Sequence, residues 1–264
     1  MESSATYVIG DLHGRSHLLD QLLRDVPMNP DRDKIVFLGD LIDRGHDAPG
    51  VVSRLMQLSE RNPNVVVLRG NHEQMMLDCL EFGDIQWLIP ANGGIETLVA
   101  YGNDPDEIED VDDIDIPESH LNFIRSLPFY HEDEQAIYVH AALLLDRHPS
   151  ETPREILIWA RNLDFFTSYE GKLCFFGHTP TQYLPRSGRH RKFGIYIQGS
   201  CVGVDTSGEE DSPLSCLRVE TFTLYQAHPN GVTDVERLGR LKPIAGNGVA
   251  GETVEGLPES ITAD

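Results

Sequence analysis

The sequence predicts an α/β fold: a parallel sheet covered by helices, followed by a more antiparallel β unit. Three observations predict it. The first 70 residues alternate short apolar runs with amphipathic stretches in a β-α-β-α-β pattern. Five apolar runs each end in polar residues, four of them across a glycine. Between about residues 193 and 225 four strand-like runs follow one another: FGIYIQ, CVGVD, SCLRVE and FTLYQA.

Taken in order, residues 5–9 form a strand that Gly10 breaks. Residues 16–23 place Leu18, Leu19, Leu22 and Leu23 on one helical face, with Ser16 as N-cap. Residues 34–38 form the second strand. Residues 49–58 form a helix with Val51, Val52, Leu55, Met56 and Leu58 inward, and residues 64–68 form the third strand. Residues 73–125 are mostly helical, broken at Gly-Asp and Asn-Gly-Gly. Strands are expected at 135–139 and 173–176, and a turn at 207–213. The sequence from about Gly239 has no period and is read as a loose tail. The expected division is one catalytic domain over 1–240, with a helical cap at about 74–130, and a flexible tail over 241–264.

Net charge is −22 over 264 residues. A broad basic face for nucleic acid is therefore excluded, and anionic membranes are disfavoured. The segment 104–118 carries nine acids and no base, and its composition reads as a solvated loop. Should it border a cleft, it would favour basic phosphopeptides. Cys79, Cys174, Cys201 and Cys216 show no CxxC spacing and read as reduced core residues. With no leader-like N-terminus and no long apolar run, the expected location is the cytoplasm.

The strand ends carry the chemistry. They are Gly10-Asp11-Leu12-His13-Gly14, Gly39-Asp40-Leu41-Ile42-Asp43-Arg44-Gly45, Gly70-Asn71-His72-Glu73, His140-Ala141-Ala142 and Gly177-His178-Thr179-Pro180. Ligands in open α/β sheets sit outside the carboxyl ends of strands, so these clusters should converge. Asp11, His13, Asp40, Asn71, His140 and His178 supply three imidazoles, two carboxylates and an amide. Six such groups exceed one metal and suit two ions sharing a carboxylate, at the ~3.5–4 Å spacing of two-metal hydrolases. Asp40 is the natural bridge. A nitrogen and oxygen donor set without thiolate suits Mn, Fe, Zn, Co or Ni. Arg44 can fork onto phosphate oxygens. His72, next to a ligand on what reads as an extended segment, should face the opposite way.

GDLHG, GDLIDRG, GNHE, the His140 strand end and GHTP together resemble the signature of the calcineurin-like metallophosphoesterase superfamily. With Asp43-Arg44 retained they are similar to its phosphoprotein phosphatase family, on the bacterial and phage side. The resemblance spans residues 5 to about 225. It implies a sandwich of two mixed β-sheets flanked by helices, with a dinuclear site at the strand ends. Carried over by position, Asp11, His13 and Asp40 hold the first metal, and Asp40, Asn71, His140 and His178 the second. Manganese is the first expectation, with Fe, Zn, Co or Ni as alternatives. The resemblance gives His72 the role of general acid, paired with Asp43, and gives Arg44 and Arg161 (in ILIWARN) phosphate binding. It implies in-line attack of a hydroxide shared by the two ions. His140-Ala141-Ala142 has alanine, and Asp205-Thr206-Ser207 has serine, where the family often has glycine.

The function expected is a Ser/Thr phosphoprotein phosphatase acting on a phosphorylated protein or peptide, as a monomer or weak oligomer. The alternative is a symmetrical dinucleoside tetraphosphatase or other nucleotide hydrolase. That class resembles this chain in most motifs but usually lacks the acid at Asp43. It would need an aromatic to stack adenine, for which Trp87, Tyr101 and Phe129 are the candidates. A non-catalytic metal scaffold is the third reading, and retention of His72, Asp43 and Arg44 counts against it.

Overall fold

The computed structural model describes residues 4–185, 192–209 and 211–238. The predicted tail lies outside them. The sheets are built from β1 (Thr6–Ile9), β2 (Lys34–Phe37), β3 (Val65–Val67), β4 (Tyr130–Glu132), β5 (Ile137–Val139), β6 (Cys174–Phe176), β7 (Tyr196–Gln198), β8 (Cys201–Gly203), β9 (Leu214–Arg218), β10 (Thr223–Ala227) and β11 (Thr233–Arg237). One mixed sheet has the order β11-β10-β9-β1-β2-β3, the other β4-β5-β6-β8-β7. β1, β2 and β3 pair in parallel, as the alternating pattern predicts. β9, β10 and β11 are antiparallel, but β8 joins β6 in parallel. The late β unit is thus divided between both sheets.

Strand periodicity explains the sandwich, since successive side chains point to opposite faces. Val8, Val36, Leu217 and Leu224 of the first sheet meet Tyr138, Phe175 and Val202 of the second. Their neighbours Tyr7, Ile9, Ile35 and Phe37 face α1 (Ser16–Asp25), α2 (Ala48–Arg61) and α3 (Asn71–Phe82). Ile137, Val139, Cys174 and Phe176 face α6 (Arg154–Trp159) and α7 (Leu163–Ser168) on the outer side. All four cysteines are buried and unpaired.

Several details differ from the sequence expectation. Ser16 is the first residue of α1, and Arg15 holds the N-cap position. The Arg15 guanidinium donates to the carbonyls of Leu12, Ser212 and Asp11, which fixes the chain entering the helix. α3 begins at Asn71, two residues early, so Asn71 and His72 lie in a helical first turn and not on an extended segment. Residues 73–125 are helical with breaks, comprising the rest of α3, α4 (Gly94–Ala100) and α5 (Glu118–Ser126). The acidic segment is more than a solvated loop. Its nine acids are exposed, but Ile108, Val111, Ile114 and Ile116 pack on the helix-side core. Each well-buried aliphatic side chain contributes ~1.5–3 kcal/mol, which docks the segment against α3.

Among the described residues no helix is long and apolar enough to cross a membrane.

Candidate metal and phosphate site

The five predicted strand ends converge. Asp40, on the loop after β2, lies at the centre. A carboxylate oxygen of Asp40 and one nitrogen each of His13 and His72 lie within 4.8 Å of one another, as do Asp40, His140 and His178. Asp40 belongs to both groups, as a bridge would. His13, Asp40, Asn71, His72, His140 and His178 are all buried. Asp11 sits beside these groups. Its Oδ2 accepts from the His178 backbone N–H at 3.0 Å. Its Oδ1 is buried with no hydrogen-bond partner.

The backbone is bent to make this convergence. Among the described residues, seven non-glycine positions have positive φ, and five are His13, Asp40, Asp43, Arg44 and His178. Such conformations cost about 1–3 kcal/mol each and collect where surrounding contacts over-determine them. Glu73 supplies several of those contacts. Its fully buried carboxylate accepts from the N–H groups of Asp40 (3.0 Å), Leu41 (2.7 Å), Ile42 (3.3 Å) and Gly70 (2.8 Å). It therefore ties the second strand end to the third. Sequence reading gave Glu73 no role, although a Glu at the third helical position is a capping signal. Gly177 is equally constrained, since a Cβ there would lie 2.2 Å from Asp11 Oδ1.

The imidazoles divide into two kinds. His13 Nδ1 donates to the Ile42 carbonyl at 3.0 Å, His140 Nδ1 to that of Leu38 at 2.8 Å, and His178 Nε2 to that of Trp159 at 3.1 Å. A ring N–H tied to a carbonyl leaves the other nitrogen with its lone pair, the arrangement that orients metal-binding histidines. His72 differs. Its Nδ1 meets the Asp43 carboxylate at 2.6 Å, and neither atom is exposed.

The residues fit a cation on chemical grounds. Asn71 Oδ1 and Asp40 Oδ1 lie 3.0 and 3.2 Å from His140 Nε2. Three lone-pair atoms in a buried cluster need positive charge among them. Burial disfavours the His140 imidazolium, yet Asp40 pushes its pKa up to about 10. Burial also pushes the Asp40 carboxyl up, but His140, His72 and His13 outweigh it and hold it well below the carboxylate range. Burial and then the neighbouring Asp205 drive Asp11 well above that range. Burial and His140 push His178 down to about 3. Two divalent ions would relieve all of these conflicts.

Beside the cluster lies a cavity of about 1100 Å³, lined among others by His13, Arg44, Arg161, His178, Leu163 and Tyr183. Arg44 donates to His13 Nε2 at 2.9 Å and to His72 Nε2 at 3.2 Å. Arg161, after α6, lines the same cavity, so both predicted phosphate arginines face one space. None of residues 104–118 lines it. None of the three stacking candidates lines this cavity. Trp87 is fully buried and donates to Asp43, Tyr101 bonds His120, and Phe129 lies under Arg69 and Arg154. The two glycine-to-larger departures are tolerated, since none of Ala141, Ala142 and Ser207 has positive φ.

The sequence profile of the calcineurin-like phosphoesterases matches residues 5–182. The chain belongs to that family. Over 89 residues it is 40% identical to serine/threonine-protein phosphatase 1 of Salmonella typhimurium, covering 33% of this chain and 38% of that protein. Over 184 residues it is 30% identical to the symmetrical bis(5'-nucleosyl)-tetraphosphatase of Coxiella burnetii, covering 67% of this chain and 55% of that protein. The chain thus spans about half the length, or less, of these curated relatives. A solved structure provisionally titled a diadenosine tetraphosphatase superposes with a TM-score of 0.60 at 18% identity, over 89% of this chain and 93% of the other. That likeness shows the fold. The chain thus carries the fold and sequence pattern of a calcineurin-like phosphoesterase, with candidate metal ligands where its strand ends converge.

Proposed function

We propose that this phosphoesterase is a phosphomonoesterase of the Ser/Thr phosphoprotein phosphatase type, with two divalent ions, manganese first among them. Asp11, His13 and Asp40 would hold one ion, and Asp40, Asn71, His140 and His178 the other. When bound, such ions supply Lewis-acid charge to phosphoryl oxygens and acidify a water. The chain's own residues do the rest. Arg44 and Arg161 receive the phosphate dianion from two sides of the cavity and orient it in line. When Arg44 turns to phosphate it leaves His72 Nε2, the nitrogen that then carries a proton to the departing alkoxide. Burial opposes charge on His72, but Asp40 and the Asp43 carboxylate bonded to its Nδ1 raise its pKa.

The buried 2.6 Å contact of His72 with Asp43 carries this reading. A metal scaffold needs no such pair, and an alkoxide leaving group does. A second reading, symmetrical dinucleoside tetraphosphate hydrolysis, is supported by the 30%-identical relatives and by a cavity much larger than a phosphate. A side-by-side assay with Mn²⁺ on a phosphoserine/phosphothreonine peptide and on diadenosine tetraphosphate tests the choice, with His72→Asn as control. Higher kcat/KM on the peptide, lost in His72→Asn, is expected. The reverse order would transfer the protein to the nucleotide reading.

A further inference from the structure

The cap segment from Trp87 to Thr97 packs directly on the Asp43-Arg44 dipeptide. Trp87 Nε1 donates to Asp43 Oδ1 at 2.9 Å. The Thr97 hydroxyl donates to the same oxygen at 2.8 Å and accepts from the Asp43 backbone N–H at 2.9 Å. Asp43, Trp87 and Thr97 have no exposed surface. The Arg44 N–H donates to the Gly93 carbonyl at 3.2 Å. Asp43 and Arg44 have φ of +72° and +65°. Two consecutive non-glycine residues in the left-handed region do not hold themselves there, so outside contacts must.

The two glycines between Trp87 and Thr97 explain how the segment gets close enough. A Cβ on Gly93 would fall 2.5 Å from Arg44 N, and one on Gly94 would fall 2.3 Å from the Trp87 carbonyl oxygen. Gly93 also has φ of +83°. Any larger residue would push the cap off Arg44 or part Trp87 from Thr97. The W-L-I-P-A-N-G-G-I-E-T stretch thus reads as one device. Its first residue and its last hold one oxygen of Asp43, and its middle seats Arg44.

We infer that Trp87 and Thr97 are positioning residues for the proton donor: they fix the Asp43 carboxylate so that its free oxygen, Oδ2, orients His72. They touch neither substrate nor reacting atoms and act through Asp43. Both oxygens of Asp43 are then satisfied by fixed donors, which keeps the carboxylate on the Nδ1 side of His72, while Asp40 Oδ2 lies 3.8 Å from Nε2 on the other side. This rests on the general-acid reading of His72 given above.

Leaving-group dependence tests it without reference to the biological substrate. p-Nitrophenyl phosphate releases an anion that departs unprotonated. Phenyl phosphate releases a more basic oxygen that benefits from a proton. Holoenzyme variants Thr97→Val and Trp87→Phe should lose about tenfold or more of kcat on phenyl phosphate relative to the loss on p-nitrophenyl phosphate, a share of the ~10²–10⁴-fold of general-acid catalysis. Thr97→Ser should restore the ratio, because its hydroxyl keeps both bonds. Melting curves identify a variant that fails to fold, and Thr97→Ser against Thr97→Val then carries the comparison. Equal losses on both esters would make Thr97 and Trp87 merely structural and overturn the inference. His72→Asn separates the two levels. If it shows the split and Thr97→Val does not, the inference alone fails. If His72→Asn shows no split, the general-acid reading fails and the inference falls with it.

Discussion

Replacing Glu73 by Gln removes one acceptor from the carboxylate that joins two strand ends. Each oxygen serves two N–H groups, Oε1 those of Leu41 and Ile42 and Oε2 those of Asp40 and Gly70. Whichever way the amide sits, its NH₂ faces two backbone donors. A stranded buried donor costs ~1–3 kcal/mol, so two cost ~2–6 kcal/mol. Burying a neutral amide in place of a carboxylate returns part of that, because burial and Asp40 already push the Glu73 carboxyl up to about 7. The expected net loss is ~3 kcal/mol, or ~6–12 °C of Tm in a domain of this size. Asp40, held at φ +49°, and the Asn71 helix start should also separate, weakening Mn²⁺ binding. Differential scanning calorimetry and Mn²⁺ titration calorimetry read the two effects. A variant that melts within about 1 °C of the parent and binds Mn²⁺ equally well would refute the view that these four bonds hold the site.

Three further outcomes follow from the same geometry. Gly177→Ala places a Cβ against Asp11 Oδ1, so the carboxylate must turn away; Mn²⁺ affinity should fall with a stability loss of only ~1–3 kcal/mol, and unchanged affinity would exclude Asp11 as a ligand. Removing metal with a chelator should lower Tm, and Mn²⁺ at 100 times its Kd should restore ~2.7 kcal/mol for each ion bound; a Tm indifferent to both would mean that the clustered charges need no ion. Asp33 has its carboxyl lowered although burial pushes it up, because the Asn29 and Ala5 N–H groups and Arg32 outweigh burial. A lowered folded pKa stabilises above the unfolded value of ~3.9 and loses that contribution as pH falls through the folded value. Asp33→Asn should therefore destabilise at neutral pH, and in urea melts its gap from the parent should close as pH falls from about 4 through the lowered folded value, whereas a gap that stays constant would contradict the assignment.

Much of the site was legible because the information is local. Each ligand-type residue follows an apolar strand within one to four positions, and parallel pairing brings those ends to one edge whatever the intervening sequence does. Asp43, Arg44 and Arg161 were legible through motif resemblance. What escaped notice was tertiary. Trp87 and Thr97 reach Asp43 from about 44 and 54 positions away, and nothing near them in sequence marks a partner. Trp87 looked like a base-stacking residue because a large aromatic in a cap has no visible address until its indole N–H is seen bonded. β11 was missed because TDVER is too polar to show alternation, and it forms only by pairing with β10 at the sheet edge. The early start of α3 was missed because a strand running into Gly70 resembles an extended segment. On a helix, Asn71 and His72 still diverge, by the roughly 100° turn per residue. The divergence of the two side chains is thus kept, although its reason changes.

The excess of acid over base remains to be reconciled with an anionic substrate. The nine acids of 104–118 are exposed and none lines the cavity, so they act on a phosphate only through the field of the whole chain. That field reaches ~30 Å at 0.01 M salt and ~10 Å at 0.1 M. Arg44 and Arg161 act at contact, where screening is weaker. For a small phosphate dianion, kcat/KM should therefore rise as salt increases from 0.01 M to about 0.1 M, as the repulsive field of a −22 chain is screened. It should fall at higher salt, as the arginine contacts weaken in turn. Exchanging the nine acids for their amides should flatten the rise and leave the fall. A steady decline from the lowest salt in the parent would show that the arginines already dominate at long range, and the acidic segment would then have no electrostatic part in substrate capture.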